Sequence, residues 1–311
     1  MDTIVLRARG KINLTLDVVG KRENGYHDLR MIMQSINLYD TIKVKKTKSP
    51  GIKIENNLSW LPTDDKNIAY KAAQLFLEET GIESGIYINI HKRIPVAAGL
   101  AGGSSNAAAV LVGLNKIFET EFSRRELMEM GLKLGADVPF CVLRGTALAE
   151  GIGEKLTVLP SFPYMNILLA KPNISVSTAS VYKNLDIKNI RKHPQTDKVV
   201  EAIRKGNKDF VIDHMENVLQ EVTIKMHPQV QRIKDNMLKQ GALGTMMSGS
   251  GPTVFGIFEN REDCLRAAEF FKEECGLREV HVTSTYYQGR REGKYRERRK
   301  FKYANKRVST T

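Results

Sequence analysis

Pro95-Val96-Ala97-Ala98-Gly99-Leu100-Ala101-Gly102-Gly103-Ser104-Ser105-Asn106 is a glycine-rich turn that runs straight into a helical pattern. Ala107, Val110, Leu111, Leu114 and Ile117 then recur on one helical face. Glycine lets a backbone come close to a ligand and take angles closed to other residues. A helix N-terminus offers free N–H groups and the positive end of a dipole, which together make an anion site. The expected guest is a phosphate chain. A Walker A loop would need Lys just before its Ser/Thr, and Gly103 holds that place. The dinucleotide pattern fails too, because the glycine spacing differs and no acidic residue stands about 20 residues downstream after a second strand. Packing of a tight turn between elements is the plainer alternative.

Working outward, residues 86–90 alternate like a strand and lead into the loop, and residues 67–79 read as a helix closed by Gly81. Residues 4–19 form a strand pattern interrupted by Lys11 and Asn13. Glu23-Asn24-Gly25 marks a turn, and two short strands are expected within 30–46, parted near Tyr39-Asp40. Ser123 and Glu126 spell a capping box, with Phe122 and Leu127 placed as its hydrophobic staple. That helix should end near Gly135, with a strand at about 141–149. From 160 onward the pattern mixes strands and helices: a strand at 166–170, a short helix near 176–182, a polar loop at 188–196 and helices at 197–205, 209–218 and 227–240. Strands at 244–247 and 254–258 enclose Ser248-Gly249-Ser250-Gly251-Pro252, and a helix at 261–274 precedes a last strand at 280–286. Such an order suits an α+β unit with a mostly antiparallel sheet.

The 311 residues are 41% hydrophobic and 27% charged, an ordinary globular balance. No run approaches the roughly 18 apolar residues of a membrane span, and the start lacks the basic and apolar regions of a signal peptide. Cys141, Cys264 and Cys275 are scattered without metal-ligand spacing and suit a reducing cytoplasm. Net charge is +13, yet residues 290–311 hold ten Lys/Arg against two Glu. Tyr295, Phe301 and Tyr303 interleave with those charges, a composition compatible with nucleic acid. No nucleic-acid-binding fold signature accompanies it, so a solvated end is favoured over that partner.

Taken singly, the polar interruptions say little. Lys11 in an apolar strand can snorkel, aromatics at a turn often just pack, and Asp137 after Gly135-Ala136 is either a cap or a carboxylate held for use. Together, Lys11-Ile12-Asn13-Leu14, residues 95–106 and Ser248-Gly249-Ser250-Gly251-Pro252 stand in the order of the GHMP kinase superfamily, and the chain resembles that family from Arg9 to about Tyr286. Gly25-Tyr26-His27-Asp28-Leu29, Gly135-Ala136-Asp137-Val138-Pro139-Phe140, Gly145-Thr146-Ala147-Leu148-Ala149-Glu150-Gly151, and Val176-Ser177-Thr178-Ala179 with Val181-Tyr182 narrow the likeness. They point to the branch that phosphorylates the 2-hydroxyl of 4-diphosphocytidyl-2-C-methyl-D-erythritol in the non-mevalonate route to isoprenoid precursors.

The resemblance implies a two-domain α+β kinase: an N-terminal mixed sheet with helices over 1–158, a ferredoxin-like C-terminal sandwich over 159–288, the active site in the cleft between them, and a basic tail at 289–311. It implies Asp137 as general base with Lys11 beside it. A positioned base contributes about 10²–10⁴-fold, and an ammonium steadies the alkoxide as charge develops. ATP phosphates would lie along Pro95, Val96, Ala97, Ala98, Gly99, Leu100, Ala101, Gly102, Gly103, Ser104 and Ser105, with adenine near Asn67 and Lys92. Cytosine would sit between Tyr26 and Tyr182 with His27 reading its edge, and Asn13, Ser248, Gly249, Ser250 and Gly251 would complete the substrate site. Mg²⁺ would bridge phosphate oxygens with few protein ligands. No glutamate ligand can be placed, and Ser105 is the hydroxyl candidate. Ala97, Ala98 and Ala101 stand where relatives often carry glycine and Asn106 where many carry Asp; a negative φ is expected at the three alanines. Another small-molecule GHMP kinase, or a GHMP-fold protein that binds nucleic acid through its tail, are the alternatives. The cytosine clamp of Tyr26, His27 and Tyr182 speaks against the first, and Lys11, Asp137 and both glycine loops speak against the second as a replacement for catalysis.

Overall fold

A computed structural model describes residues 1–287. In chain order, β1 (Thr3–Lys21), β2 (His27–Thr47) and β3 (Ile52–Asn56) precede α1 (Ile68–Thr80) and β4 (Gly85–His91). The glycine loop feeds α2 (Gly102–Phe118), followed by α3 (Arg124–Leu132), α4 (Val138–Leu143), β5 (Thr146–Gly151) and β6 (Lys155–Val158). Then come β7 (Asn166–Lys171), α5 (Thr178–Lys183), α6 (Thr196–Arg204), α7 (Lys208–Asp213), β8 (Glu216–Asn217), α8 (Leu219–Met226), α9 (Gln229–Lys239), β9 (Gly244–Met247), β10 (Val254–Phe258), α10 (Arg261–Glu273) and β11 (Glu279–Ser284).

The strands form a seven-stranded sheet ordered β3-β4-β2-β1-β8, to which β5 adds against β2 and β6 against β5, and a four-stranded sheet ordered β11-β7-β10-β9. The first is mixed, since β3 runs parallel to β4 and β8 to β1. The second is wholly antiparallel. Helices α1 and α2 cover one face of the first sheet through Ala72, Phe76, Val110 and Leu114, packed on Ile42, Val44 and Ile88. In the second sheet, Leu168 and Ala170 face Ile233, Met237 and Phe271 of α9 and α10, while Ile167 and Leu169 share a core with Ile12 and Leu14 of β1. Strand β1 is therefore buried continuously from Ala8 to Val18, which places Lys11 and Asn13 deep in the molecule. Register shifts at Arg9/Lys11, Asn13/Thr15 and Val18/Gly20 re-aim its side chains, as bulges beside functional sites commonly do.

The capping box forms in full: Ser123 Oγ accepts from Glu126 N and Glu126 Oε2 accepts from Ser123 N. Asn67 caps α1, and Gly81 closes it in the left-handed conformation. Four expectations need correction. The pair of strands expected over 30–46 is one strand, β2. Asp40 does not break it because its carboxylate is buried and satisfied, and Tyr39 is flanked by the guanidinium groups of Arg7, Arg9 and Arg93. The strand expected from 141 is preceded by helix α4, whose six residues are all buried. A fully buried helix has no polar face and so reads like a strand, while Pro139 sits in its first turn, where proline favours helix. The helix expected over 209–218 ends at Asp213, and Glu216 and Asn217 pair with Thr15 and Leu16 before α8 starts. Finally, Ala97 and Ala101 have positive φ, 51° and 54°. A left-handed alanine costs about 1–2 kcal/mol, a strain that the packing around the glycine loop sustains. The basic tail lies outside the described residues.

Candidate active site

A cavity of about 1080 Å³ lies where the two sheets meet, lined by β1, β2, the glycine loop, α5 and the loop between β9 and β10. Its floor is built from three backbone segments joined by polar side chains. Lys11 N donates to Leu100 O at 3.1 Å, which ties β1 to the glycine loop. Lys11 Nζ donates to Asn13 Oδ1 at 2.9 Å, and Gly249 N donates to the same oxygen at 3.1 Å. Asn217 Nδ2 in turn donates to Met247 O and Gly249 O, both at 2.8 Å. Asn13 thus holds the ammonium of Lys11 against the second glycine loop.

The two glycine loops touch directly. Ser248 Oγ donates to Gly99 O at 3.0 Å, and a Cβ on Gly99 would stand 2.1 Å from Ser248 O. Gly99 has φ +72° besides, so both space and backbone angle require glycine there. Helix α2 begins beside this contact. Its N-cap, Ala101, makes no side-chain cap hydrogen bond, and no acidic residue occupies the first turn. Gly102, Gly103 and Ser104 line the cavity at this uncapped end, so their N–H groups are left for an anion.

Across the cavity, Asp137 occupies the N-cap position of α4 yet makes no capping bond. Its Oδ2 lies 4.0 Å from Lys11 Nζ, the lysine side chain 6% exposed and the aspartate 33%. The carboxylate is spared for the cavity rather than spent on the helix. Burial, followed by the field of Asp137, pushes the Tyr182 phenol above its ordinary value, and the Cys141 thiol rises for the same two reasons in the same order. Both groups stay protonated at neutral pH.

At the far end, the rings of His27 and Tyr182 stack with centroids 4.9 Å apart and planes at 28°. Tyr26 stands on the rim, 59% exposed. His27 is held below its ordinary value of 6.5 by burial and then by Lys21, so its ring is neutral at pH 7. Ser177 caps α5, which carries Tyr182, and Thr178 Oγ1 bonds Ser250 Oγ at 2.8 Å.

The cavity gathers most of the residues singled out from sequence: Lys11, Tyr26, His27, Asn67, Lys92, residues 95–99 and 101–104, Asp137, Tyr182, Gly249 and Ser250. Asn13, Leu100, Ser105, Ser248 and Gly251 stand behind its wall. Ser105 is 2% exposed and its Oγ donates to Gly102 O at 2.9 Å, so Ser104 is the hydroxyl that borders the cavity instead. Asn67 spends both side-chain ends on structure, donating to Pro62 O and accepting from Ala69 N. Lys92 is also engaged, through Asp40 and Asn106. Leu61, Pro62, Lys66 and Thr178 line the cavity as well; of these only Thr178 lies in a motif visible in the sequence. Among the described residues no cluster of three His, Cys, Asp or Glu side chains could hold a metal ion. A cation here would take most of its ligands from nucleotide oxygens and water, which is how Mg²⁺ is commonly held beside nucleotide phosphates.

Residues 67–145 match the N-terminal domain of GHMP kinases, and residues 199–276 match the GHMP kinase C-terminal domain. The chain belongs to the GHMP kinase family. It is 56% identical over 272 residues to the 4-diphosphocytidyl-2-C-methyl-D-erythritol kinase of Lachnoclostridium phytofermentans, covering 88% of this chain and 94% of that one. Against the enzyme of the same name from Caldicellulosiruptor saccharolyticus it is 50% identical, covering 91% and 97%. A crystal structure of 4-(cytidine 5'-diphospho)-2C-methyl-D-erythritol kinase superposes with a TM-score of 0.78 at 32% identity, covering 91% of this chain and 99% of that one. L. major mevalonate kinase in complex with R-mevalonate shares the fold, with a TM-score of 0.74 at 16% identity over 92% of this chain and 98% of that one.

Proposed function

We infer that this chain transfers the γ-phosphoryl group of ATP to the 2-hydroxyl of 4-diphosphocytidyl-2-C-methyl-D-erythritol. One observation carries the reading: the identity to kinases of that name, 56% over nearly the whole enzyme, coincides with a cavity holding an uncapped helix end, a Lys–Asp pair and a His–Tyr stack. The non-mevalonate route to isoprenoids is the setting this activity implies, and no helix of the described residues is long and apolar enough to cross a membrane. A soluble cytoplasmic enzyme of two lobes, parted near residue 158 with the site between them, fits these features.

In the proposed mechanism the phosphate chain of ATP lies against the free N–H groups of Gly102, Gly103 and Ser104. Adenine lies toward Leu61, Pro62 and Asn67. Mg²⁺ fits a site whose anionic ligands would come mainly from the phosphates, with Ser104 and Asp137 among the oxygen-bearing side chains of the cavity that would face it; it would neutralise phosphate charge there. The cytosine end of the acceptor lies at His27 and Tyr182, with Tyr26 folding over from the rim. Base–aromatic stacking of this kind is worth about 1–3 kcal/mol. Asp137 takes the proton of the 2-hydroxyl as its oxygen bonds to the γ-phosphorus, and the bond from that phosphorus to the bridging oxygen of ADP breaks. Lys11 stands by both groups and offsets the negative charge that develops on the attacking oxygen. Positioning supplies most of the remaining acceleration, because the transferred group needs little covalent help.

The reading is tested by ADP release with the cytidine acceptor set beside mevalonate, homoserine and galactose. Turnover confined to the cytidine compound is expected. Comparable turnover with another alcohol would leave a kinase but remove the base-binding assignment.

A further inference from the structure

Asp40 sits in the middle of β2 with no exposed surface and takes no part in the cavity wall. Its Oδ1 accepts from Arg93 N at 2.7 Å and Ile94 N at 2.8 Å. Its Oδ2 accepts from Asn106 Nδ2 at 2.8 Å and from Lys92 Nζ. Lys92 Nζ also donates to Asn106 Oδ1 at 3.2 Å. A carboxylate has about four lone-pair sites, so this one is filled.

The donors are not scattered. Residues 92–94 are the last before the phosphate loop, and Asn106 is the fifth residue of α2, just after it. One carboxylate therefore grips the chain where it enters the loop and again where it leaves. Lys92 Nζ lies 3.1 Å from the place a Cβ on Gly102 would take, so the ammonium fixed by Asp40 presses under the first residue of the helix end. A buried ion pair is weak evidence for stability, since apolar replacements of equal volume often serve as well. Four hydrogen bonds that converge on both ends of one loop serve a geometric purpose that apolar packing would not.

We propose that Asp40 is a positioning residue for nucleotide binding: through Arg93, Ile94, Lys92 and Asn106 it sets the distance and tilt between the two ends of the phosphate loop. Its N–H groups are thereby aimed before ATP arrives. This rests on the reading of the cavity as the ATP site. Asp40 touches neither substrate, and its effect is on nucleotide affinity rather than on the acceptor.

The test is calorimetric titration of MgATP and of ADP into the full chain, with thermal midpoints and acceptor KM measured alongside. Asp40→Asn keeps the shape, and its oxygen can still accept from Arg93 and Ile94, but its amide then faces the donors of Lys92 and Asn106. The dissociation constant should rise about tenfold, the cost of losing one buried charge-assisted hydrogen bond, with acceptor KM changed less than about twofold. Adding Asn106→Asp returns a carboxylate to face Lys92 and gives the new amide an acceptor, and should recover affinity to within about threefold of wild type. Folded Asp40→Asn protein with unchanged nucleotide affinity, or a loss that the second substitution does not repair, would overturn the proposal. Should Asp40→Asn not fold, Asn106→Ala removes one of the four donors and is read in its place; unchanged affinity there would overturn it equally. Wild-type protein that fails to bind MgATP takes down the site reading and this role together, whereas the variant results bear on Asp40 alone.

Discussion

At the scale of single residues, the site separates groups that border the cavity from groups that hold those in place. Lys11 and Asp137 border the cavity, and Asn13 behind them decides where the ammonium points. Tyr182→Ala removes half of the His27 stack and should raise acceptor KM by about 5–100-fold, from the loss of one base stack, while the ATP constant stays near its wild-type value; steady-state kinetics with each substrate varied in turn reads this. An unchanged acceptor KM would remove Tyr182 from base recognition. His27 gives a pH prediction. Its pKa is held below 6.5, first by burial and then by Lys21, so the neutral ring prevails above that pH and protonates only below it. Acceptor KM should be flat from about pH 7 to 8 and climb as pH falls below the depressed pKa. A climb centred above 6.5 would contradict the assigned environment. His27 and Tyr182 also show where sequence reading stops. Both residues could be named, with cytosine expected between Tyr26 and Tyr182, but the sequence does not show that the His27 ring stacks on Tyr182 at 4.9 Å while Tyr26 stands on the rim. Ring spacing is set by tertiary packing, and local sequence does not encode it.

At the scale of elements, the glycine loop before α2 is legible because glycine spacing and a helix start are local signals. Its support is not. Asp40 lies in a strand pattern and is satisfied by residues more than fifty positions away, a relation that periodicity cannot express. Helix α4 was misread for a related reason: burial on every side erases the polar face that marks a helix. The positive φ of Ala97 and Ala101 was missed because local preference was overridden by the loop's anchors. Two substitutions test the elements. Gly99→Ala adds a Cβ that would meet Ser248 O and forces a left-handed alanine. It should cost about 1–3 kcal/mol of stability and also lower kcat/KM, because the two glycine loops must part; a variant with normal stability and kinetics would refute the tight loop contact. Ser123→Ala breaks the capping box far from the chemistry. It should cost about 1 kcal/mol by denaturant titration and leave kcat and both KM values in place.

For the whole molecule, β1 is the member both halves share. Buried from Ala8 to Val18, it carries Lys11 and Asn13 between the first sheet and the core of the second, so the two halves cannot form separately without exposing that strand. The order of three motifs along the chain foretold this architecture better than any single element did, because motif order reports a family whose fold is fixed globally. The tail at 289–311 lies outside the described residues and beyond the ranges matched by the family's domains. Its deletion should leave kinetic constants unchanged, and RNA binding compared at two salt concentrations should be the same with and without it. Binding lost with the tail, and steeply salt-dependent before its removal, would instead assign the tail to a polyanion.

Asp137, which makes no capping bond at the start of α4, is the group proposed to take the proton beside the nucleotide site. The most direct measurement is single-turnover phosphoryl transfer from labelled ATP to the cytidine acceptor by Asp137→Asn protein, with ATP affinity determined on the same preparation. The expected result is ATP affinity within about twofold of wild type and transfer slower by about 10²–10⁴-fold, the contribution of a positioned general base. Transfer at a near-normal rate with ATP bound would contradict the account, because the group placed to accept the proton would then be dispensable.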